Sequence, residues 1–593
     1  MSLFKRVLNI LTKRQRHLMV VLFAMMVVGA VLETIGTGLI LPLVTAATSP
    51  DAVMGNRYMR AVFNFFNLTD VTQFLRLCVI ALIVVYIFKD VYLYFMYYAQ
   101  YRFVYNGQYN TSKAIFIEYI NRPYEFYLNA STPVVIRNIV SDVNGSYQLV
   151  LTYLQLFTEV VVFAALFILS LVTSPVMTLI MTGFIGVILV INKKVFGPIL
   201  RRYGNEVQQN NANVTKWLLQ AMNGMKETKV LNKEKYFVDQ YDHSAGRLNQ
   251  IQMKQSSMSN VPRLSIETVV ITAILVMFYI FLGQGDAPGY GSLVSQIAVL
   301  IVVAVRMMPS ANRIATAVNN LAYYEPSLTA VENIIKHARE IDTNRILEEQ
   351  SRPIEKIPFE KEVKLNDITY AYPNTDVNIF EKANLTIPIG KSIGIMGPSG
   401  AGKSTAVDLL LGLLTPQGGT ITVDGFDIQK NLPGWYANIG YVPQMMFMLD
   451  DTIRANVAYG VDPQDVDDEK VWACLKEAQM DEFVRGLPQG LDSSVGERGV
   501  RISGGQRQRI GIARALYNDP QVMIFDEATS ALDNDTEAAI MDAIERLHGR
   551  KTLIIVAHRL TTIENCDEIY KVENQTFVPH HITEEDLHPG RNK

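Results

Sequence analysis

The sequence predicts two architectures in one chain: membrane-spanning α-helices over the first half, then an α/β domain. Three observations predict it. Six apolar stretches of about spanning length lie before residue 310. Beyond residue 355, short apolar runs alternate with helical segments, as in an α/β domain. Within that second region, Gly397-Pro-Ser-Gly-Ala-Gly-Lys-Ser404 separates an apolar run, Ser392–Met396, from a helical one, Thr405–Leu414.

At 593 residues the chain is too long for one core. Charged residues make up 19% and apolar ones 49%, which leans towards membrane proteins. A net charge of −3 supplies no global basic field, so no nucleic-acid partner is expected. Cys78, Cys474 and Cys566 are far apart and form no C-x-x-C, which fits free thiols in a reducing compartment. The first apolar run is too long for a cleavable signal peptide and ends without a small-residue cleavage signature.

The apolar stretches lie near 18–45, 72–100, 148–173, 176–197, 266–284 and 291–309, the third and fourth joined by a tight turn at Thr173-Ser174-Pro175. Lys and Arg set the orientation. Lys5, Arg6, Lys13, Arg14 and Arg16 precede the first stretch, and the connection after the fourth carries Lys193, Lys194, Arg201, Arg202, Lys226, Lys229 and Lys233. Residues 285–291 carry no positive charge. The expectation is a multi-pass protein of the cytoplasmic (inner) membrane with both termini cytoplasmic.

Two polar connections, near 101–147 and 198–262, keep a helical composition, so the spans are expected to continue as helices into the cytoplasm. Each needs a bend where the chain turns back. Asn121–Tyr127, with its proline, is the candidate in the first, and Leu218–Lys226 in the second. Tyr58–Leu68 reads as a short amphipathic helix at the outer membrane interface, or as a tethered loop.

Ionisable residues within spans are costly and face a cavity or a partner. Here they include Glu33, Lys89, Asp90, Glu159, Glu267 and Arg306. Glu267 follows Arg263 by four residues, the spacing of a pair along one helix face. Lys89, Arg263 and Arg306 are candidate cargo contacts, and Arg306 has no acidic neighbour within a turn. Guanidinium groups around a shared cavity suit an anionic headgroup such as a pyrophosphate. Self-neutralisation of Lys89 by Asp90, and of Arg263 by Glu267, is the alternative.

Residues 310–349 read as one long helix, and the apolar period disappears among the prolines of 348–358. The expected division is a membrane domain with helical extensions over 1–325, a helix and linker over 326–355, a nucleotide domain over 356–580 and a tail over 581–593. Gly397–Ser404 matches G-x-x-x-x-G-K-[ST], the phosphate-binding P-loop. A loop between a strand and a helix aims backbone N–H groups and the helix N-terminus at one point, which favours a polyphosphate. Gly397, Gly400 and Gly402 let the backbone close around the anion, with Ser399 in the loop and Thr405 just beyond it. Lys403 is expected to reach the β- and γ-phosphates, and the Ser404 hydroxyl to ligate Mg²⁺.

The run Gln521–Glu527 ends in two carboxylates. Asp526 is the expected organiser of Mg²⁺, and Glu527 the base that orients or deprotonates the attacking water. His558 ends a further apolar run and is placed to donate to the γ-phosphate. Tyr372, near an early strand, has a ring suited to stacking on adenine. Ser503, Gly504, Gly505 and Gln506 open a basic helix and form a second anion site. Two sites in one domain cannot wrap one phosphate tail, but two copies arranged head to tail can.

Gly397–Ser404, Gln444, Ile502–Gln506, Asp526-Glu527, Ser530–Asp533 and His558 resemble, in order and spacing, the Walker A, Q-loop, signature, Walker B, D-loop and switch histidine of ABC transporters. Ile502 stands where leucine is usual. The layout resembles the exporter-type half-transporter, which implies ATP, Mg²⁺ with Gln444 among its ligands, a dimer of twelve spans, and coupling helices at the two bends. Intact Lys403, Ser503, Gly505, Glu527 and His558 point to a homodimer. Arg306–Arg313, Tyr323-Tyr324 and Val261–Arg263 resemble bacterial flippases of lipid-linked oligosaccharides. The expected function is ATP-driven export or flipping of such a lipid. The alternatives are a lipid, drug or peptide exporter without a glycan, and an ATP-switched regulatory protein, against which intact Glu527 argues.

Overall fold

The computed structural model describes residues 3–38, 57–66, 71–173, 175–282, 290–340, 348, 352–373, 375, 377–527, 534–557 and 559–581. The chain forms two compact units: Met1–Arg122 with Asn129–Leu347, and Pro123–Leu128 with Glu348–Lys593.

The first unit is helical. Its elements are α1 (Leu3–Ile10), α2 (Lys13–Gly38), α3 (Arg57–Phe65) and α4 (Val71–Ile120). The six-residue α5 (Tyr124–Asn129) lies almost wholly in Pro123–Leu128 of the other unit, and α6 (Thr132–Arg137) belongs to the first. Then follow α7 (Val143–Thr173), α8 (Pro175–Asn223), α9 (Met225–Val230), α10 (Glu234–Leu282) and α11 (Tyr290–Glu340). The six apolar stretches fall on α2, α4, α7, α8, α10 and α11. Among the described residues, four segments are long and apolar enough to cross a membrane: Lys13–Gly36, Thr132–Val172, Thr178–Asn223 and Glu234–Val276. The apolar face of α4 points outward, with Ile80, Ile83, Ile87 and Phe88 all exposed, the inverse of a water-soluble helix.

Helix continues through both polar connections. Helix α4 ends at Ile120, and the chain turns at Arg122-Pro123 into α5; α8 breaks at Gly224 before α9. Proline explains the first break, since its ring and missing N–H cannot extend a helix. Helix α3 occupies 57–65, burying Phe63 against Phe74 and leaving Phe65 and Phe66 exposed. At the N-terminus, Arg6 bonds Glu332 at 2.9 Å and Glu325 at 3.2 Å, tying α1 to α11.

In the second unit, β1 (Glu362–Ala371), β2 (Asn378–Pro388), β4 (Gly418–Val423) and β5 (Phe426–Asp427) form an antiparallel sheet of order β2-β1-β4-β5. The other sheet holds β3 (Ser392–Met396), β6 (Ile439–Val442), β7 (Val522–Asp526), β8 (Thr552–Val556), β9 (Glu568–Glu573) and β10 (Thr576–Pro579). Its order is β10-β9-β3-β8-β7-β6, parallel except where β10 meets β9. Strands β3, β7 and β8 are almost wholly buried, as parallel strands covered on both faces must be, so each reads as an unbroken apolar run. Helix α12 (Lys403–Leu410) follows β3 and buries Ala406, Val407, Leu409 and Leu410. Trp435, fully buried, donates its Nε1–H to the Leu410 carbonyl at 2.8 Å and closes the end of α12. Helices α13 (Gly504–Leu516) and α14 (Asn534–Glu545) complete the unit with shorter turns between.

Candidate functional site

The parallel sheet brings two strand ends together. β3 and β7 both pair with β8, so the loop after Met396 and the carboxylates after Phe525 emerge at the same edge. Gly402 precedes α12 with φ +107°, and a Cβ there would lie 2.6 Å from Ile379 Cγ2. Only glycine fits that position. Gly397 and Gly400 also have positive φ, at +154° and +80°, so three glycines shape one concave turn. No side chain caps α12, which leaves its first-turn N–H groups for an external acceptor.

Lys403 is 5% exposed and folds back across the loop, donating from Nζ to the Gly397 carbonyl at 2.9 Å and the Pro398 carbonyl at 3.2 Å. Burial pulls its pKa down, and the nearby Glu527 and Asp526 charges oppose that. Ser404 is exposed and Thr405 buried; the Thr405 hydroxyl meets the Tyr372 hydroxyl at 3.0 Å. Tyr372 therefore borders the P-loop helix, and its ring stands edge-on to Tyr370 at 5.4 Å.

At the end of β7, Glu527 takes a left-handed backbone, φ +48°, and its N–H donates to the Val556 carbonyl at 2.9 Å. A non-glycine residue held there carries strain, a feature common at functional sites. Gln444 Nε2 donates to Glu527 Oε2 at 2.7 Å, linking the segment after β6 to the end of β7. Burial raises the Asp526 pKa, with Glu527 adding to the rise and Lys403 opposing it. The groups fit Mg²⁺ by donor chemistry. An exposed hydroxyl, Ser404, and a desolvated carboxylate, Asp526, are the hard oxygen donors such an ion takes, and its charge would relieve the crowding of Asp526 by Glu527. Among the described residues no group of three His, Cys, Asp or Glu side chains gathers.

Sequence reasoning missed Asp408. It lies one turn beyond Ser404 on α12, and burial, reinforced by Asp526, pushes its pKa up to about 6. The i,i+4 spacing from Ser404 was the available signal. Glu125 was also missed: its Oε1 accepts from the Thr415 N–H at 2.7 Å, inside the second unit.

The signature residues are organised differently. Ser503 caps α13: its Oγ accepts from the Gln506 N–H at 3.2 Å, and the Gln506 Oε1 accepts from the Ser503 N–H at 2.8 Å. Gly504 and Gly505 open the helix. No hydrogen bond among the described residues joins 503–506 to 397–405. His558 and Ser530–Asp533 lie outside the described residues, and so does the Arg306 side chain.

Of the other two candidate cargo contacts, Lys89 is engaged, with Asp90 at 3.2 Å and the Tyr86 ring at 4.3 Å. Arg263 is exposed, and no ion pair with Glu267 occurs among the described residues, contrary to the helix-face expectation. The four-residue spacing permits that pair without requiring it. Glu159 instead finds Arg313 of α11 at 2.8 Å.

Family models match twice: the ABC transporter transmembrane region over residues 17–303 and the ABC transporter domain over 380–530. The "ATP-dependent lipid A-core flippase" of Desulfotalea psychrophila is 29% identical over 467 residues, covering 78% of this chain and 79% of that one. The protein of the same description from Legionella pneumophila strain Paris is 30% identical over 474 residues, covering 79% and 77%. A bacterial Atm1-family ABC exporter with ATP bound superimposes with a TM-score of 0.72 at 20% identity, covering 95% of this chain and 94% of that one. The chain belongs to the ABC transporter family, with a helical transmembrane region followed by a nucleotide-binding domain whose ATP hydrolysis is coupled to transport.

Proposed function

We propose that the chain is one half of a homodimeric flippase of the bacterial inner membrane, with both termini cytoplasmic, moving an anionic, pyrophosphate-linked lipid such as a lipid-linked oligosaccharide. Relatives described as lipid A-core flippases, aligned over most of the chain, support a lipid cargo. The single observation that carries the anionic reading is Arg263. It is an exposed guanidinium where α10 turns apolar, and its helical neighbour Glu267 does not neutralise it.

In this reading Lys403 exchanges its two loop carbonyls for phosphate oxygens, and Ser404 and Asp526 hold Mg²⁺, with Gln444 beside them. Mg²⁺ neutralises charge on the phosphates. Glu527 takes the proton of the attacking water, His558 donates to the γ-phosphate and Tyr372 stacks on the base. Ser503–Gln506 serve the nucleotide of the second copy.

Reconstitution into liposomes tests it. Arg263→Ala and Arg306→Ala should each lower flipping of a pyrophosphate-linked lipid by about tenfold or more, the loss of a charge-assisted contact, while basal hydrolysis survives. Normal transport by both variants would overturn the anionic reading. Native mass spectrometry finding an obligatory, different second half would overturn the homodimer. A second reading, a neutral lipid or drug cargo, is favoured by Lys89 alone, whose charge Asp90 already balances.

A further inference from the structure

The helical unit contains a cavity of about 540 Å³ that the reading above does not use. Its walls come from α4, α7, α8, α10, α11 and the π-helical turn Asn138–Asp142. Two glycines pin those walls. A Cβ on Gly145 of α7 would lie 2.5 Å from Ser327 Oγ, and one on Gly204 of α8 would lie 2.2 Å from the Tyr323 carbonyl, both on α11. Helices this close cannot shift inward to fill the space without a clash, so the cavity is held open by backbone packing.

The lining chemistry is specific. Gln108, Gln208 and Asn211 bring amides, each able to donate and accept, and Tyr323 and Tyr324 bring two rings 5.1 Å apart at 73°. Gln108 Oε1 is buried without a hydrogen-bond partner among the described residues. Burial pushes the Tyr323 phenol up to about 12, so it remains a donor at neutral pH. Among the described lining residues the one acid, Asp142, is 1% exposed and already bound by Arg137 Nε at 3.0 Å and Gln208 Nε2 at 2.7 Å. Among the described residues the lining holds no free cation for an anion, and it is too polar for an acyl chain. Amides in the plane of a ring's hydroxyls, with aromatic faces against its C–H surface, are what an uncharged sugar requires.

We propose that this cavity is a saccharide subsite, admitting one or two uncharged sugar rings. It rests on the flippase reading for its place in transport. Gln108 follows the apolar stretch of α4 by eight residues, about 12 Å of helix, so on that reading the cavity lies just inside the cytoplasmic surface. A glycan would reach it while its lipid stayed in the bilayer.

The test uses the full-length protein in nanodiscs with N,N′-diacetylchitobiose and maltose as probes, read by saturation-transfer difference NMR. Magnetisation should pass to the sugar protons. Asn211→Leu and Gln108→Leu should each weaken binding about tenfold, as one or two lost hydrogen bonds dictate. Tyr324→Ala should weaken it as much, and Tyr324→Phe, which keeps the ring, should retain most of it. All variants should keep wild-type basal ATP hydrolysis, which verifies the fold. No transfer from either sugar, or transfer that survives Asn211→Leu and Tyr324→Ala unchanged, would overturn the subsite. A parallel flipping assay with a lipid-linked oligosaccharide separates the two readings. Flipping that persists in every variant without sugar binding sinks the subsite alone. Sugar binding that obeys the variants, with no flipping of the lipid-linked form, sinks the cargo assignment and leaves a subsite for free saccharides.

Discussion

Two helices of the nucleotide-binding domain open on glycine, and they satisfy their first turns in opposite ways. Helix α12 has Gly402 in a left-handed conformation at its N-cap and no side-chain cap, so its N–H groups depend on an external acceptor. Helix α13 has Ser503 at its N-cap and a reciprocal capping box with Gln506, so it is stable without one. The first leaves its opening N–H groups to an acceptor from outside the helix. The second is complete by itself and still presents the small residues Gly504 and Gly505 to whatever approaches. A binding site and a closing surface thus differ in which of them supplies its own hydrogen-bond acceptors.

The largest expected effect leaves both helix ends intact. If Glu527 is the base, as proposed, Glu527→Gln removes it while keeping the cradle, so turnover should fall by about 10²–10⁴-fold with ATP still bound. Phosphate-release assays beside nucleotide-binding titration decide it, and near-normal turnover would refute the assignment.

Next comes Gly402→Ala, which attacks the cradle itself. A forced left-handed alanine costs on the order of 1–3 kcal/mol, and the close Ile379 contact adds to that. Nucleotide affinity should drop about tenfold or more. Unchanged affinity, by the same titration, would mean that the open N-terminus of α12 does not set binding.

Ser503→Ala attacks the other helix and should do less. Loss of the cap costs about 1 kcal/mol of stability. Nucleotide affinity at the chain's own P-loop should stay within about twofold, while turnover by the assembled dimer falls. If affinity falls as far as turnover, the head-to-tail arrangement is wrong.

The smallest effect concerns Asp408, one turn beyond Ser404 on α12 and close enough to Asp526 to feel its charge. Its pKa of about 6 in the folded protein exceeds the ordinary value of 3.8. Between those values the native state holds more protons than the unfolded one, so stability declines as pH rises through that window. Asp408→Asn should therefore raise the melting temperature by about 2–4 °C at pH 7.5. The gain should vanish below about pH 4. A thermal-unfolding series across that range measures it, and a gain independent of pH would assign it to packing.

Local pattern alone determined a great deal here. The P-loop between an apolar strand and a helix, the paired carboxylates closing Val522–Asp526 and the six apolar stretches all depend on residues adjacent in the chain, and spacing encodes those directly. Helical continuation beyond the spans was legible for the same reason, and so was the break at Pro123. Which side chains meet was left to the tertiary structure. Arg263 and Glu267 have the right spacing and do not pair, whereas Glu159 pairs with Arg313 from another helix and Gln444 reaches Glu527 across 83 residues. Pro123–Leu128, most of the bend read at Asn121–Tyr127 that the family resemblance makes a coupling helix, groups with the second unit, and only the structure shows Glu125 accepting from the Thr415 N–H there. The cavity beside Tyr323 gathers residues from 108 to 327, with Gly145 and Gly204 letting α7 and α8 close on α11. Side-chain partnership depends on where distant backbones come to rest. Packing sets that through the sum of many weak contacts, and no local spacing records it.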